Sequence, residues 1–166
     1  MGEIGRWVII GVGSLIAVGL VMWLFLVVTI RTGYGPGLSA IRRLNRRVTN
    51  PRVMKTAGGP GASASVIRHV GRISGKSYET PVGVTEAGDD LLITLPYGTT
   101  ADWLKNVRAV GSAEMVHDGR TFRVGQPEVV PAAEVACHQT RQERLSQRLY
   151  GVDFVLRLRR AEFSGH

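Results

Sequence analysis

Cysteine and clustered metal ligands are scarce in this sequence. Its 166 residues include a single cysteine, Cys137, and four histidines that are scattered along the chain. One thiol cannot form a disulfide within the chain, which excludes small disulfide-stapled folds and suits a reducing compartment. Because no spacing typical of zinc or other metal ligands occurs, we predict no metal site. We expect Cys137 to be buried as a small hydrophobic residue.

Acidic residues are missing from a long stretch of the chain. No Asp or Glu lies between Glu3 and Glu79, whereas ten basic residues lie from Arg31 to Lys76, and the formal net charge is +8. This asymmetry indicates an anionic partner, such as lipid head groups, nucleic acid or a polyanionic small molecule. The basic stretch adjoins an apolar segment and lacks interleaved aromatics, so we expect anionic membrane lipid and no nucleic acid.

Charge of either sign is absent from residues 7–30, a run of 24 residues. At about 1.5 Å of rise per residue, a helix of this length spans roughly 36 Å, which exceeds a hydrocarbon core of about 30 Å. A cleaved signal peptide is the alternative, but its apolar region is usually about 7–15 residues and ends at a small-residue cleavage site. We therefore predict a single-pass transmembrane anchor over residues 1–31.

The two flanks of this run differ in charge. The amino-terminal flank carries Arg6 against Glu3, whereas seven basic residues and no acid lie from Arg31 to Lys55. Short flanks rich in Lys and Arg stay on the cytoplasmic side of a membrane, so we expect the bulk of the chain there. Gly13 and Ala17, four residues apart, are small enough to let two anchors approach closely, which is one route to a homodimer.

Residues 32–64 are predicted to form a basic juxtamembrane helix and a Gly-rich linker. Apolar residues recur every three or four positions from Leu38 to Val48, and arginines fill positions 42, 43, 46 and 47, which predicts an amphipathic helix. Two compatible interpretations stay open: the arginines bind lipid phosphate, or some of them close over an anionic ligand. The segment AGGPGASAS at 57–65 is predicted to be a flexible link.

Beyond residue 64 the pattern changes to short β-rich runs separated by turn signals. We predict five or six antiparallel strands, with runs at 65–70, 78–85, 90–95, 113–117 and 120–130. One helix is expected at about 101–110 and a closing helix at about 132–150, followed by a basic tail that contains Arg157, Arg159 and Arg160. Residues 65–166 are therefore predicted to form an α+β domain, a small and partly open antiparallel barrel.

The segment GRISGK at 71–76 lies between two predicted strands and concentrates polar chemistry. Its glycines let backbone N–H groups point into one space, and Arg72, Ser74 and Lys76 add positive charge and a hydroxyl donor. A phosphate suits such a turn, and a solvated surface turn is the alternative. The spacings of a P-loop and of a Rossmann fingerprint are absent.

Two blocks of this region, taken together, resemble a known family. GRISGK at 71–76, followed by TPV at 80–82, resembles the GR-x-SG-x…TPV signature of the deazaflavin-dependent nitroreductase-like and quinone reductase family of bacteria. LPYG at 95–98 and DWLKNVRA at 102–109 are similar to the strand, loop and helix that form the family's second block. The resemblance runs from about residue 65 to residue 130 and leaves the anchor uncovered.

The resemblance implies a fold, a coenzyme and a set of site residues. The fold is a split β-barrel of the flavin-reductase and pyridoxamine-phosphate-oxidase type. The coenzyme is the reduced 5-deazaflavin F-420, with its phosphate at residues 71–76, and flavin mononucleotide is the alternative. From their residue type, Tyr97 and Tyr150 are the candidate proton donors, and packing within the barrel is the alternative for both. The cofactor-binding candidates are His69, Gly71, Arg72, Ser74, Gly75, Lys76, Thr80, Pro81, Val82, Tyr97, Gly98, Trp103 and Asn106.

Two classes of function follow from these features. The first is an oxidoreductase anchored in the bacterial cell membrane, with the barrel on the cytoplasmic side, that transfers a hydride from reduced F-420 to a quinone, enone or nitro-type acceptor. The second is a membrane-tethered binding module that carries a flavin, deazaflavin, haem or lipid on the same barrel without turnover.

Overall fold

A computed structural model describes residues 2–161, which begin with one long helix. This helix, α1, covers Glu3–Thr32 and ends at Gly33, whose φ of 65° is the left-handed conformation that glycine adopts without strain. Its segment Gly5–Thr32 has a mean hydropathy of 2.5 over its most apolar window and is long and apolar enough to cross a membrane. The predicted apolar helix is present, and length and composition are what support its role as an anchor.

The segment after Gly33 is helical as far as Val53. Helix α2 covers Gly35–Leu44, a single π turn covers Asn45–Thr49, and helix α3 covers Asn50–Val53. The predicted helix at 38–48 therefore starts earlier and continues further than its apolar periodicity indicated. Of the four periodic apolar residues, Leu38 and Ile41 are half-buried while Leu44 and Val48 are exposed. Within residues 42–48 the half-buried positions are instead polar, Arg42 and Asn45.

Seven antiparallel strands follow, in one sheet with the order β2-β1-β5-β6-β7-β4-β3. The strands are β1 Ser65–Val70, β2 Ser77–Val82, β3 Val84–Ala87, β4 Asp90–Thr94, β5 Ser112–His117, β6 Arg120–Pro131 and β7 Phe154–Arg160. Helix α4, Asp102–Val110, lies between β4 and β5, and helix α5, Arg141–Tyr150, precedes β7.

The sheet closes on itself because its two edge strands are neighbours in the sequence. β2 and β3 lie at opposite edges of the sheet, yet only Gly83 separates them in the chain. A single residue cannot span a flat seven-stranded sheet, since neighbouring strands are about 4.8 Å apart. The sheet therefore curls until its edges lie side by side, and the predicted α+β fold with a small, partly open antiparallel barrel is confirmed.

The barrel interior is filled by one apolar cluster. Its strand residues include Ile67, Leu91, Ile93 and Met115, and helix α4 contributes Leu104 and Val107, both fully buried. A second cluster covers part of the outer face of the sheet and consists of Leu92, Val130, Val135 and Val155. Helix α4 thus packs its apolar face against the interior cluster, which fixes the position of the loop that precedes it.

The carboxyl-terminal segment differs most from its prediction. The residues expected to form a basic tail are β7, which pairs with β6 on one side and β4 on the other. Val155, Leu156 and Leu158 are fully buried, whereas Arg157, Arg159 and Arg160 pair with carboxylates. These partners, Glu128, Asp90 and Glu86, lie on three other strands. The prediction of a basic tail was wrong, because these carboxylates become neighbours of the arginines only in the folded sheet.

The predicted closing helix at 132–150 is also shorter than expected. Turns and a 3-10 turn at Ala136–His138 precede α5, which starts after Thr140. Thr140 Oγ1 accepts from Glu143 N–H at 3.2 Å and Glu143 Oε2 accepts from Thr140 N–H at 2.6 Å, a capping box that defines this start. Cys137 is exposed on the preceding 3-10 turn, so the prediction that it is buried was wrong.

The Gly-rich linker is tied down rather than free. Gly58 N–H donates to Ala64 O at 2.8 Å, and Gly119 N–H in the β5–β6 turn donates to Gly58 O at 2.7 Å. Asp118 Oδ1 in the same turn accepts from Gly61 N–H at 2.8 Å. A Cβ at position 58 would lie 2.8 Å from Val116 Cγ1, so the close approach requires glycine. The prediction of a flexible link was wrong, because this segment packs against the hairpin.

The position of β7 gives a stability prediction. Leu156→Ala should lower the free energy of unfolding by about 2–5 kcal/mol, because it leaves a cavity at a fully buried position of a central strand. Arg159→Ala, three residues along, is the control and should cost about 0–1 kcal/mol, since the Arg159 side chain in its ion pair with Asp90 is 62% exposed. Denaturant unfolding followed by circular dichroism measures both. Equal small effects would contradict the central position of β7.

Candidate functional site

The turn at residues 71–76 connects β1 to β2 and is built by its two glycines. Gly71 N–H donates to Lys76 O and Gly75 N–H donates to Gly71 O, both at 2.8 Å. Gly75 has a φ of 65°, the left-handed conformation that glycine adopts without strain. A Cβ at position 71 would lie 2.5 Å from Ser74 Oγ and 2.7 Å from the Tyr78 ring, so both side chains would have to shift. Ser74 and Lys76 are exposed on this turn.

Arg72 joins the turn to helix α4. Its backbone N–H and its Nη1 donate to Asn106 Oδ1 at 3.2 and 2.8 Å. Its Nη2 lies 3.4 Å from Asp102 Oδ1 at the start of the helix. The N-cap residue of α4, Ala101, provides no side-chain hydrogen bond, so the N–H groups of the first turn are left for another acceptor. A guanidinium and an uncapped helix N-terminus thus lie together.

His69 forms the buried end of the same hydrogen-bonded chain. Because Asn106 Oδ1 accepts from Arg72, the Asn106 amide nitrogen faces His69 Nδ1 at 3.3 Å. Nδ1 is then the acceptor, and the ring proton lies on Nε2, which donates to Thr80 Oγ1 at 3.2 Å. The side chain is 5% exposed, and burial lowers the pKa of His69 below its ordinary value. His69 is therefore a neutral imidazole. It connects β2, through Thr80, to helix α4 and the turn, through Asn106.

Tyr78 belongs to this site although sequence reasoning did not select it. Its ring stacks on His69 with centroids 5.8 Å apart, and its hydroxyl lies 3.1 Å from Ser74 Oγ. The signal available in the sequence was its place directly after GRISGKS, where an aromatic residue adjoins a polar turn. Tyr78 and Ser74 form an exposed aromatic and hydroxyl wall beside Lys76.

The loop from β4 to α4 forms a second part of the region. Gly98 has a φ of 71°, and Tyr97 is bonded to side chains of the helical segment that follows α1. Asn45 Nδ2 donates to Tyr97 Oη at 2.7 Å. Arg42 Nη2 donates to Tyr97 O at 2.6 Å and to Thr100 Oγ1 at 2.8 Å. Nothing in the sequence pointed to Asn45, because a single polar residue in a basic helix resembles a solvated position.

Tyr150, the other candidate proton donor, lies on the last turn of α5. It lines a cavity of about 490 Å³ together with Pro96, which precedes Tyr97 in the chain. Gln147, Glu143 and Thr94 also line this cavity.

The structure divides the predicted site residues into groups. Those at the turn and its hydrogen-bonded chain are His69, Gly71, Arg72, Ser74, Gly75, Lys76, Thr80 and Asn106. Tyr97 and Gly98 lie on the β4–α4 loop, and Pro81 is half-buried on the edge strand β2. Val82 lies in the barrel core, with Trp103 packed against that core. Within residues 2–161, no group of three or more His, Cys, Asp or Glu side chains is placed to hold a metal ion.

The burial of His69 gives a pH prediction. Its pKa is lower in the folded protein than the value of about 6.5 expected after unfolding, so the unfolded chain binds the proton more readily. The free energy of unfolding should fall as the pH drops from about 6.5 toward the folded-state pKa. His69→Gln should lose that part of the pH dependence, whereas His138→Gln, at an exposed position, should keep it. Denaturant unfolding measured from pH 8 to pH 5 tests this, and parallel curves for wild type and His69→Gln would contradict it.

Comparisons with known proteins find likenesses in structure but not in sequence. No family model matches the chain, and no curated protein matches it. An F-420 reductase is 15% identical, with a TM-score of 0.40 and coverage of 60% of this chain and 86% of that one. A reductase dependent on F-420-H2 is 12% identical, with a TM-score of 0.38 and coverage of 58% and 93%. The haem storage protein HutZ from Vibrio cholerae is 14% identical, with a TM-score of 0.45 and coverage of 68% and 89%. Likenesses this distant do not establish a shared activity.

Proposed function

We propose that this protein is a membrane-anchored oxidoreductase that binds reduced F-420 and transfers a hydride to a quinone, enone or nitro-type acceptor. The observation that carries the proposal is the position of the turn at residues 71–76 beside the N-terminus of α4. Arg72 links the two, Ser74 and Lys76 are exposed, and the helix has no side-chain cap. Backbone N–H groups, a hydroxyl and two cations at one place suit a phosphate.

The side chains of this region fit the coenzyme at its phosphate and not along its ring. The hydroxyl of Thr80 is taken up by His69, and Val82 is packed in the core. The resemblance implies that Thr80, Pro81 and Val82 line the ring of the coenzyme. Pro81 alone of these is neither part of the buried cluster nor in the His69 hydrogen bond. When bound, the reduced coenzyme supplies the hydride. The chain supplies phosphate binding at the turn and, on Tyr97 or Tyr150, a hydroxyl able to give a proton to the acceptor.

The membrane part of the proposal rests on surface chemistry. Helix α1 exposes apolar side chains along its length, and the exposed side chains Leu44 and Val48 lie among Arg43, Arg46 and Arg47. Apolar groups that enter the head-group region, flanked by arginines on lipid phosphate, are typical of an interfacial helix. A lipid-soluble acceptor such as a quinone would then diffuse to the barrel. The cytoplasmic orientation rests on the charge difference between the flanks of α1, and a homodimer stays a prediction.

If residues 71–76 bind the phosphate, substitutions in this turn should weaken the binding of the coenzyme. Lys76→Ala should weaken binding of oxidised F-420 by about 10- to 100-fold, because a charge-assisted hydrogen bond contributes roughly 1.5–3 kcal/mol. Turnover at saturating coenzyme should change much less, since the turn does not touch the reacting ring. Lys105→Ala, at an exposed position on α4, is the matched control of equal charge change. Fluorescence titration of the full chain in detergent measures the affinities.

Each result of this titration has a distinct meaning. Unchanged affinity in Lys76→Ala would remove the phosphate from the turn. Binding without turnover toward menadione would favour the alternative, a binding module that carries a deazaflavin, flavin, haem or lipid. Absence of binding by the wild type would overturn the choice of F-420, and flavin mononucleotide would be titrated next.

The anchor predicts how the protein partitions in cells. The full chain should stay with membranes through washes at high salt and in alkaline carbonate, because screening charge does not reverse the burial of about 20 apolar residues. Immunoblotting of the pellet and supernatant after each wash measures this. Release by salt alone would show that the arginines, and not α1, hold the protein to the membrane.

A further inference from the structure

The juxtamembrane segment has one polar face that contacts the barrel. Arg42 and Asn45 are half-buried there, three residues apart on one side of the helix, whereas Arg43 and Arg46 are exposed. The two half-buried side chains contact the loop that leads from β4 to α4. This loop carries Tyr97, one of the two candidate proton donors. The segment between the membrane helix and the barrel is therefore in direct contact with the candidate site.

The π turn that starts at Asn45 has a cause in the sequence. Pro51 has no N–H to donate to the carbonyl of Arg47, and its ring would crowd that carbonyl in a regular α-helix. The helix widens instead, and Asn50 N–H donates to Asn45 O, five residues back. Single π turns of this kind are uncommon and occur often at functional sites. Here the turn begins at the residue whose side chain contacts Tyr97.

The contact between Asn45 and Tyr97 defines what the phenol is able to do. The Asn45 amide nitrogen donates to the phenolic oxygen at 2.7 Å, so that oxygen is an acceptor in this bond. A phenol has one hydrogen of its own, which is not used in a bond that it accepts. The Tyr97 hydroxyl hydrogen therefore stays available to a molecule bound beside the loop. Arg42 holds the same loop by donating to the backbone carbonyl of Tyr97 and to the side-chain hydroxyl of Thr100.

We propose that Asn45 is a positioning residue for Tyr97, which acts as the proton donor to the acceptor; this rests on the oxidoreductase function proposed above. When the acceptor is a quinone or enone, hydride addition leaves negative charge on its carbonyl oxygen. The Tyr97 O–H bond breaks, and a new O–H bond forms on that oxygen. The resulting phenolate is stabilised by the N–H of Asn45 and takes a proton from water before the next turnover. The juxtamembrane segment then has two roles, with arginines toward lipid and Asn45 toward the chemistry.

The first test detects the contact between Asn45 and Tyr97 in the absence of coenzyme. The full chain is labelled with 3-fluorotyrosine in detergent micelles, and the fluorine resonance of Tyr97 is identified by its absence in Tyr97→Phe. Asn45→Ala should shift or broaden that resonance, because the phenol loses its hydrogen-bond donor. Asn50→Ala removes the same amide group one turn further along the same segment and should leave the resonance unchanged. A Tyr97 resonance that is the same in wild type and Asn45→Ala would overturn the contact.

The second test reads the role in turnover with menadione and saturating reduced F-420. Tyr97→Phe should lower kcat by about 100-fold, the lower end of general acid catalysis. Asn45→Ala should lower kcat by about 5- to 10-fold with coenzyme affinity unchanged, because one hydrogen bond to the donor is lost. The double variant should be no slower than Tyr97→Phe, since Asn45 acts through Tyr97. Asn50→Ala should match the wild type.

The outcomes separate this inference from the function on which it rests. Wild-type turnover with additive effects of Asn45→Ala and Tyr97→Phe would show that Asn45 does not act through Tyr97. Wild-type turnover that is unchanged in Tyr97→Phe would remove the proton donor and leave the oxidoreductase function standing. A wild type that binds coenzyme without turnover would overturn the oxidoreductase function and the donor role together, while the fluorine spectrum would still report the contact.

Discussion

The closure of the sheet is the constraint on which the rest of the structure depends. One residue, Gly83, joins the two edge strands, so the seven strands have to curl into a barrel for β2 and β3 both to pair where they do. Curling brings the inner side chains of distant strands into one apolar cluster, and α4 packs Leu104 and Val107 against it. The N-terminus of α4 is thereby set beside the β1–β2 turn. The candidate phosphate site is a consequence of how the barrel closes and what fills it.

A short chain of hydrogen-bonded polar groups, with His69 and Asn106 buried, fixes the site once the barrel has formed. Hydrogen bonds run from the edge strand to the exposed turn and link, one after another, Thr80, His69, Asn106 and Arg72. A buried imidazole and a buried amide without partners would be costly, and here each has its groups satisfied by the next. The asymmetry of Asn106, with its oxygen toward Arg72, decides the tautomer of His69. The polar chain thus keeps the turn and the helix in register while its outer end stays open to a ligand.

The barrel is joined to the long apolar helix α1 through contacts as well as through the chain. Arg31, at the end of α1, donates from Nη1 to the carbonyls of Arg148 and Leu149 at the end of α5, both at 3.3 Å. A guanidinium at a helix C-terminus is favourable because it lies at the negative end of the helix dipole. The bonds from Arg42 and Asn45 to the β4–α4 loop are a second place of contact, between the barrel and the segment that follows α1. These contacts hold the barrel to α1 and to the segment that follows it, in addition to the covalent connection.

Much of this structure was determined by local sequence. The apolar run gave α1, the run SVIRHV with its β-branched residues gave β1 at its predicted bounds, and the residues of GRISGK gave a turn in which Gly75 adopts a φ of 65°. These features depend on residues a few positions apart, which is why composition and periodicity predict them. Strand β7 was different. Its arginines are typical of a solvated tail in the sequence, whereas in the folded sheet they pair with carboxylates from three other strands. Asn45, the tautomer of His69 and the ordered Gly-rich segment likewise depend on partners dozens of residues away. The sequence by itself therefore determined the long apolar helix, the fold class and the turn. The tertiary structure alone decided which polar groups meet, since such contacts exist only after the sheet has closed.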